Sequence, residues 1–254
     1  MRTRIISVAG LAATAALVGA LAPATSAGAA TVYPLTKNGL YSASLRVSDV
    51  PASFGSNLKR SLSYTSGSKT KQFEMCVDSN GKKVFGARPL QHANSSIPLS
   101  QTGSGSNITA SVAVSSDIYG YSSRAAAQKK WKALKKATSR CATKINKPID
   151  VSGASVNANV YQQYKKLAHN CGHEGFRIAQ QVEVDVASGA PGGLSIYVGG
   201  YSVYRQVGTT ILRVQFANYT QQSAAASTIK SQWAAFARSE ATKVANRVER
   251  LPIQ

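Results

Sequence analysis

The sequence predicts an α+β fold: a twisted antiparallel sheet packed by two or more helices, in a single domain. Three observations predict it. Runs of alternating apolar and polar residues are separated by short turn signals, which implies antiparallel neighbours. Two amphipathic helical patterns each carry a tryptophan, Trp131 and Trp233. The chain has 254 residues, which after loss of an export segment suits one domain with a sizeable core.

The elements follow in order. Arg2 and Arg4 precede an uncharged, largely apolar run from Ile5 to Leu21, and Ala27-Gly28-Ala29 closes it. This is the layout of a cleaved secretory signal over residues 1–29, too short in its apolar part to span a bilayer. The single secreted domain then covers 30–254, and 30–44 reads as a loose segment. Leu45 to Gly55 reads as a short helix start, with Ser48 or Asp49 as cap and Pro51 at the first helical position. Gly55 to Lys71 is rich in Ser, Gly and Lys and reads as exposed. Phe73 to Val77 is a short strand carrying Cys76, and Asp78-Ser79-Asn80-Gly81 is a turn. Leu90 to Ser106 reads as polar loop.

Ile108 to Ile118 alternates and reads as a half-buried strand ended by Tyr119-Gly120-Tyr121. Ser122 or Ser123 caps a helix from Arg124 to Cys141. Ala127, Trp131, Leu134, Thr138 and Cys141 share one face of it, and Lys129, Lys132, Lys136 and Arg140 share the opposite face. Asn157 to Lys166 fits a strand or a helix equally. In Phe176 to Val186, Phe176, Ile178, Val182, Val184 and Val186 face one way, while Arg177, Gln181, Glu183 and Asp185 face the other. Residues 187–193 form a turn. Leu194 to Gln206 and Thr209 to Asn218 form a hairpin about Val207-Gly208. Thr220 caps a last helix running to about Arg250, its buried stripe Ile229, Trp233, Phe236, Val244 and Val248. Pro252 ends it.

Charge sets this composition apart. Lys and Arg number 30 against 10 Asp and Glu. Without Arg2 and Arg4 the balance is 28 against 10, or +18. Such a field favours anionic surfaces such as wall polymers. No aromatic-plus-basic nucleic-acid motif accompanies it, so no specific nucleic-acid partner is expected. Cys76, Cys141 and Cys171 allow three pairings in an oxidising space. A Cys76–Cys141 bond would close a loop of about 66 residues, stabilising by roughly 4 kcal/mol on the chain-entropy model.

Chemistry-bearing clusters are few. His169-Asn170-Cys171-Gly172-His173-Glu174 offers three soft or borderline ligands or a Cys/His pair, and His92 could join it. Its spacing is not that of a zinc site, and an exposed loop accounts for it as well. Glu183 and Asp185 share a polar strand face, where solvated charge is the ordinary reading. G-x-S-x-G, H-E-x-x-H, phosphate-loop and EF-hand patterns do not occur, so neither an enzyme nor a cofactor nor a metal is expected. Asn-x-Ser/Thr triplets at Asn94, Asn107 and Asn218 carry little weight. Eleven tyrosines include Tyr197, Tyr201 and Tyr204 on the hairpin and Tyr119 and Tyr121 at the end of the neighbouring strand. A groove lined by these five, with lysines at its rim, could bind sugars or aromatic ligands. Filling of half-buried strand positions is the more ordinary reading of them.

The stretch ITASVAVSSDIYGYSSRAAAQKKWKALKKATSRC, Ile108 to Cys141, resembles the extracellular sensor-domain family of actinobacterial serine/threonine kinases, the kinase H ectodomain type. Trp131 and Cys141 stand at the family's Trp-to-Cys spacing. YSVYRQVGTTILRVQFAN, with Arg205, Val207 and Gly208, is similar to its central strand pair, and LRVSDVPASFG and the Ala-rich final helix also match. The resemblance covers most of 45–250. It implies an antiparallel sheet with packed helices and a large cleft, a Cys76–Cys141 disulfide, and a role in binding something outside the cell. The chain departs from the pattern in lacking a kinase domain, a lipid-anchor cysteine and a cysteine soon after Cys141.

The expected function is therefore a secreted, non-enzymatic, sensor-like domain for an unidentified extracellular ligand, without a membrane span. The alternatives are a cationic wall- or polyanion-binding protein using Lys129, Lys132, Lys136 and Arg140, and a hydrolase or metal protein using 169–174.

Overall fold

The chain divides into Met1–Thr31 and Val32–Gln254. The computed structural model describes residues 35–52, 57–102, 109–151, 154–170, 173–186, 194–220 and 223–252, all in the second unit. The export signal expected over 1–29 and the turn at 187–193 lie outside the described residues.

The sequence order is α1 (Lys37–Ala43), β1 (Ser61–Ser66), β2 (Glu74–Val77), β3 (Lys83–Phe85), β4 (Gln91–Thr102), β5 (Thr109–Gly120) and α2 (Arg124–Ala137). Then come β6 (Lys144–Val151), β7 (Ala154–Asn170), β8 (His173–Val186), β9 (Leu194–Val207), β10 (Thr210–Thr220) and α3 (Ser223–Glu249). Eight strands form one sheet in the order β1-β4-β5-β10-β9-β8-β7-β6, antiparallel throughout. After β5 the chain crosses through α2 to the far edge. It then returns strand by strand until β10 slots in beside β5. The β2–β3 ribbon forms a second, two-stranded sheet.

Each face of the large sheet has its own cover, because strand side chains alternate between faces. One face buries Ile97, Leu99, Val114, Ile118, Tyr201, Val203, Leu212, Val214 and Phe216 against Leu40 and Ala43 of α1 and Ala237, Ala241, Val244 and Val248 of α3. The other buries Tyr119, Phe176, Ile178, Tyr204 and Ile211 against Trp131 and Leu134 of α2, with Phe73, Met75, Cys76 and Val84 of the ribbon. Gly86 permits this, since a Cβ there would lie 2.3 Å from the Phe73 ring. Gly208, at φ 53°, makes the β9–β10 turn.

Several local expectations are corrected. The loose segment at 30–44 contains α1, started by Thr36, whose hydroxyl accepts from the Gly39 N–H at 2.9 Å. Among the described residues, the helix start expected at Leu45 to Gly55 holds a 3-10 turn, Val47–Asp49, and no α-helix; residues 53–55 lie outside the described residues. Asp49 reaches back to the Arg46 N–H at 2.8 Å, and Pro51 follows the turn. The exposed stretch Gly55 to Lys71 holds edge strand β1, and the polar loop at Leu90 to Ser106 holds β4. Asn157 to Lys166 is strand, within β7. The helix expected to Cys141 ends as α-helix at Ala137 and tightens into a 3-10 turn, Thr138–Arg140.

Candidate functional site

Strand register arranges the α2-side face in rows. One row runs Ser63, Asn94, Asp117, Arg213, Tyr204, Phe176 across six strands. The next runs Ser61, Ser96, Ser115, Gln215, Ser202, Ile178. The face is thus aromatic over β9 and β8 and polar over β1, β4 and β5. The charged pair marks the border.

The aromatic part is a chain of rings. His92 stacks on Tyr119 at 4.8 Å and Tyr119 on Phe73 at 4.1 Å. Tyr204 stacks on Phe176 at 4.8 Å and Phe176 on Trp131 at 5.0 Å. Trp131 Nε1 donates to Glu174 Oε2 at 2.6 Å, and the Lys135 ammonium pairs with the same carboxylate. The Cys76–Cys141 disulfide, Cα atoms 5.7 Å apart, ties the ribbon to the end of α2. Gln162 adds a second tie, donating to the Val77 and Ala142 carbonyls and accepting from the Val77 N–H.

At the border, Asp117 is 2% exposed. Its Oδ2 accepts from Arg213 Nε at 2.9 Å and Nη2 at 2.8 Å. Its Oδ1 bonds His92 Nε2 and Asn94 Nδ2, both at 2.9 Å. Burial alone would raise this carboxyl's pKa. The Arg213 charge and the bonds from His92 and Asn94 outweigh it and hold the group well below the carboxylate range. Arg213 Nη1 also donates to the Glu74 carbonyl at 3.2 Å, fixing β2 over the sheet.

Beyond that border the described residues are polar and less buried. Asn94, Ser96, Ser115 and Gln215 are half-buried and Ser61 and Ser63 exposed, while on the opposite face Ser95, Ile97, Val114, Ser116, Val214 and Phe216 of β4, β5 and β10 are buried and Leu62 of edge strand β1 is exposed.

Lys129, Lys132 and Lys136 on α2 and Arg140 on the 3-10 turn after it are all exposed, opposite the buried Trp131 and Leu134. Among the described residues none of the four joins an ion pair, whereas Lys135, turned towards the sheet, does.

No family model, curated protein or solved structure matches this chain.

The expected site residues fall as follows. Tyr119, Tyr121, Tyr201 and Tyr204 are all core residues, 0–3% exposed. Tyr119 and Tyr204 lie on the α2 side, and Tyr201 on the α3 side, where its hydroxyl accepts from Arg177 at 3.2 Å. These four therefore line no common groove. Burial pushes the Tyr119, Tyr121 and Tyr204 hydroxyls up. The side chain of Tyr197 lies outside the described residues, as do those of His169, Asn170, Cys171 and His173. Glu174 is described and serves Trp131 and Lys135. Among the described residues no three His, Cys, Asp or Glu are grouped to hold a metal. His92 is committed to Asp117. Sequence reasoning missed the Asp117–Arg213 pair; an acid inside a strand, two residues from a tyrosine, was its only signal.

Proposed function

We propose that the chain is an exported, non-catalytic binding protein whose outer α2 row engages anionic polymers of the cell surface. The row Lys129, Lys132, Lys136, Arg140 carries this reading. An α-helix advances about 1.5 Å per residue, so Lys129, Lys132 and Lys136 rise about 4.5 and 6 Å apart along α2, and Arg140 continues the row on the 3-10 turn that follows. A polymer with regularly spaced negative groups can meet several at once, releasing counterions as it does. Paired lysines could not serve this way without giving up their partners. The net charge of +18 without Arg2 and Arg4 (28 Lys and Arg against 10 Asp and Glu) adds long-range attraction.

The resemblance to kinase sensor domains agrees with a binding role. Export is supported by the Arg-led apolar N-terminus and by the disulfide, and among the described residues no helix is long and apolar enough to cross a membrane. A tyrosine-lined groove is not carried forward, because four of its five rings are in the core.

Titration of the protein with soluble polyphosphate tests the proposal. Affinity should fall steeply with added salt. The variant with Lys129, Lys132, Lys136 and Arg140 all changed to Glu should lose most of it. Equal binding by that variant would remove α2 from the account.

A further inference from the structure

We infer that Lys165 and Arg177 form a site for a single phosphate group, on the α3-side face of the large sheet and apart from the α2 row. Register sets the two residues directly opposite each other on β7 and β8, where facing Cβ atoms stand about 4.5–5.5 Å apart. Leu167 and Ala179, two positions along from each, pack in the α3-side core, so both cations project from that face. Like charges placed this way repel and cost stability unless something neutralises them. Among the described residues neither joins an ion pair. Strands β7 and β9 carry no acidic residue. On β8 the nearest acid of this face is Glu183, about 20 Å along the strand from Arg177.

The guanidinium is held in place from one side. It lies over the Tyr201 ring, 5.4 Å from the centroid, and its Nη1 donates to the Tyr201 hydroxyl at 3.2 Å. Tyr201 is a core residue, so its ring is a fixed seat. A guanidinium has several N–H donors in one planar fork, which suits the oxygens of a phosphate. Lys165 is exposed, and its ammonium supplies the second charge. Charge selects the occupant. Two cations side by side match a phosphate monoester, which carries about −1.5 to −2 at neutral pH, whereas a carboxylate carries a single charge. The α2 row spreads its cations along a helix and suits a polymer; this pair suits one terminal group.

The test is titration of the whole protein with inorganic phosphate, and separately with acetate, at constant ionic strength, read by backbone amide NMR. Saturable shifts centred on Lys165 and Arg177 are expected with phosphate, and much weaker binding with acetate. Lys165→Gln, at an exposed position, should weaken phosphate binding about tenfold, the scale of a lost charge-assisted hydrogen bond. Phosphate should raise the melting temperature of the unaltered protein. Lys165→Gln should melt slightly higher than the unaltered protein in phosphate-free buffer, with the repulsion gone, and should gain little from added phosphate. The protein with the α2 row reversed to Glu should keep the shifts at Lys165 and Arg177, so this site and the polymer reading fail separately. No saturable shifts at these residues, an equal response to acetate, or equal phosphate binding by Lys165→Gln would overturn the inference.

Discussion

Asp117 and Arg213 sit 96 residues apart in sequence and share one carboxylate oxygen through two N–H donors, at 2.8 and 2.9 Å. The pair joins β5, the last strand before α2, to β10, which the chain builds last in the sheet. It sits where the face turns from aromatic to polar. Arg213→Met should destabilise the fold by about 3–5 kcal/mol, because it leaves the buried Asp117 without its guanidinium partner, with only His92 and Asn94 bonded to it. Arg213→Met with Asp117→Leu should recover much of that loss. Denaturant melts of the three proteins decide it; a near-neutral single variant would contradict the role given to the pair.

Acid should undo the same contact. Asp117 titrates lower folded than unfolded, so its stabilisation is complete above the unfolded carboxylate range, about pH 4. It is lost as pH falls through that range towards the folded value. Asp49 behaves alike: burial would raise it, but hydrogen bonds from Arg247 and from the Arg46 N–H, with the Arg247 charge, bring it below its usual value. Stability measured against pH should drop below about pH 4, and less steeply in the Asp117→Leu, Arg213→Met protein.

Glu240 should act in the opposite sense. It is 1% exposed on α3, its Oε2 lacks a hydrogen-bond partner among the described residues, and burial raises its pKa. A raised carboxyl favours the folded state at low pH and costs stability as pH rises through it. Lys243, its partner at 2.7 Å, is half exposed and can return to water. Glu240→Gln should therefore stabilise the protein by about 1 kcal/mol at neutral pH and little at pH 4. Thermal melts at the two values check this, and destabilisation at neutral pH would refute it.

Cys76 and Cys141 are 65 residues apart and close the ribbon over the aromatic row. Changing both to Ser should cost about 2–5 kcal/mol. It should also raise amide exchange in β2 and β3 before the large sheet, since only polar ties such as those from Gln162, Arg213 and the Ala142 N–H would then hold β2. Uniform exchange across the chain would argue that the ribbon is not a separate unit.

The sequence made α2, β5, β8 and the β9–β10 hairpin legible because each buries large residues at a clear period. Strand β4 was not legible. Its buried side alternates Ala93, Ser95, Ile97 and Leu99 with an open side of His92, Asn94, Ser96 and Pro98. Serines on both sides erase the contrast, and Pro98 reads as a breaker. Pro98 is tolerated because β1 pairs only as far as Ser96, so on that side the ladder has already ended. The α2 cation row was read directly from spacing. The Lys165–Arg177 pair was not, since it exists only where register sets β7 against β8. The tyrosines misled because a strand tyrosine looks alike in the sequence whether its ring is sealed by Phe73 or open to water.

The most direct test is co-sedimentation of the protein with walls of the producing cell across a salt series, beside the variant with Lys129, Lys132, Lys136 and Arg140 reversed to Glu. The account predicts retention at low salt that is lost at moderate salt, as screening shortens the reach of exposed charges to about 8 Å near physiological ionic strength. It also predicts little retention of the variant at any salt. Retention that ignores salt, or is equal in the two proteins, would contradict it.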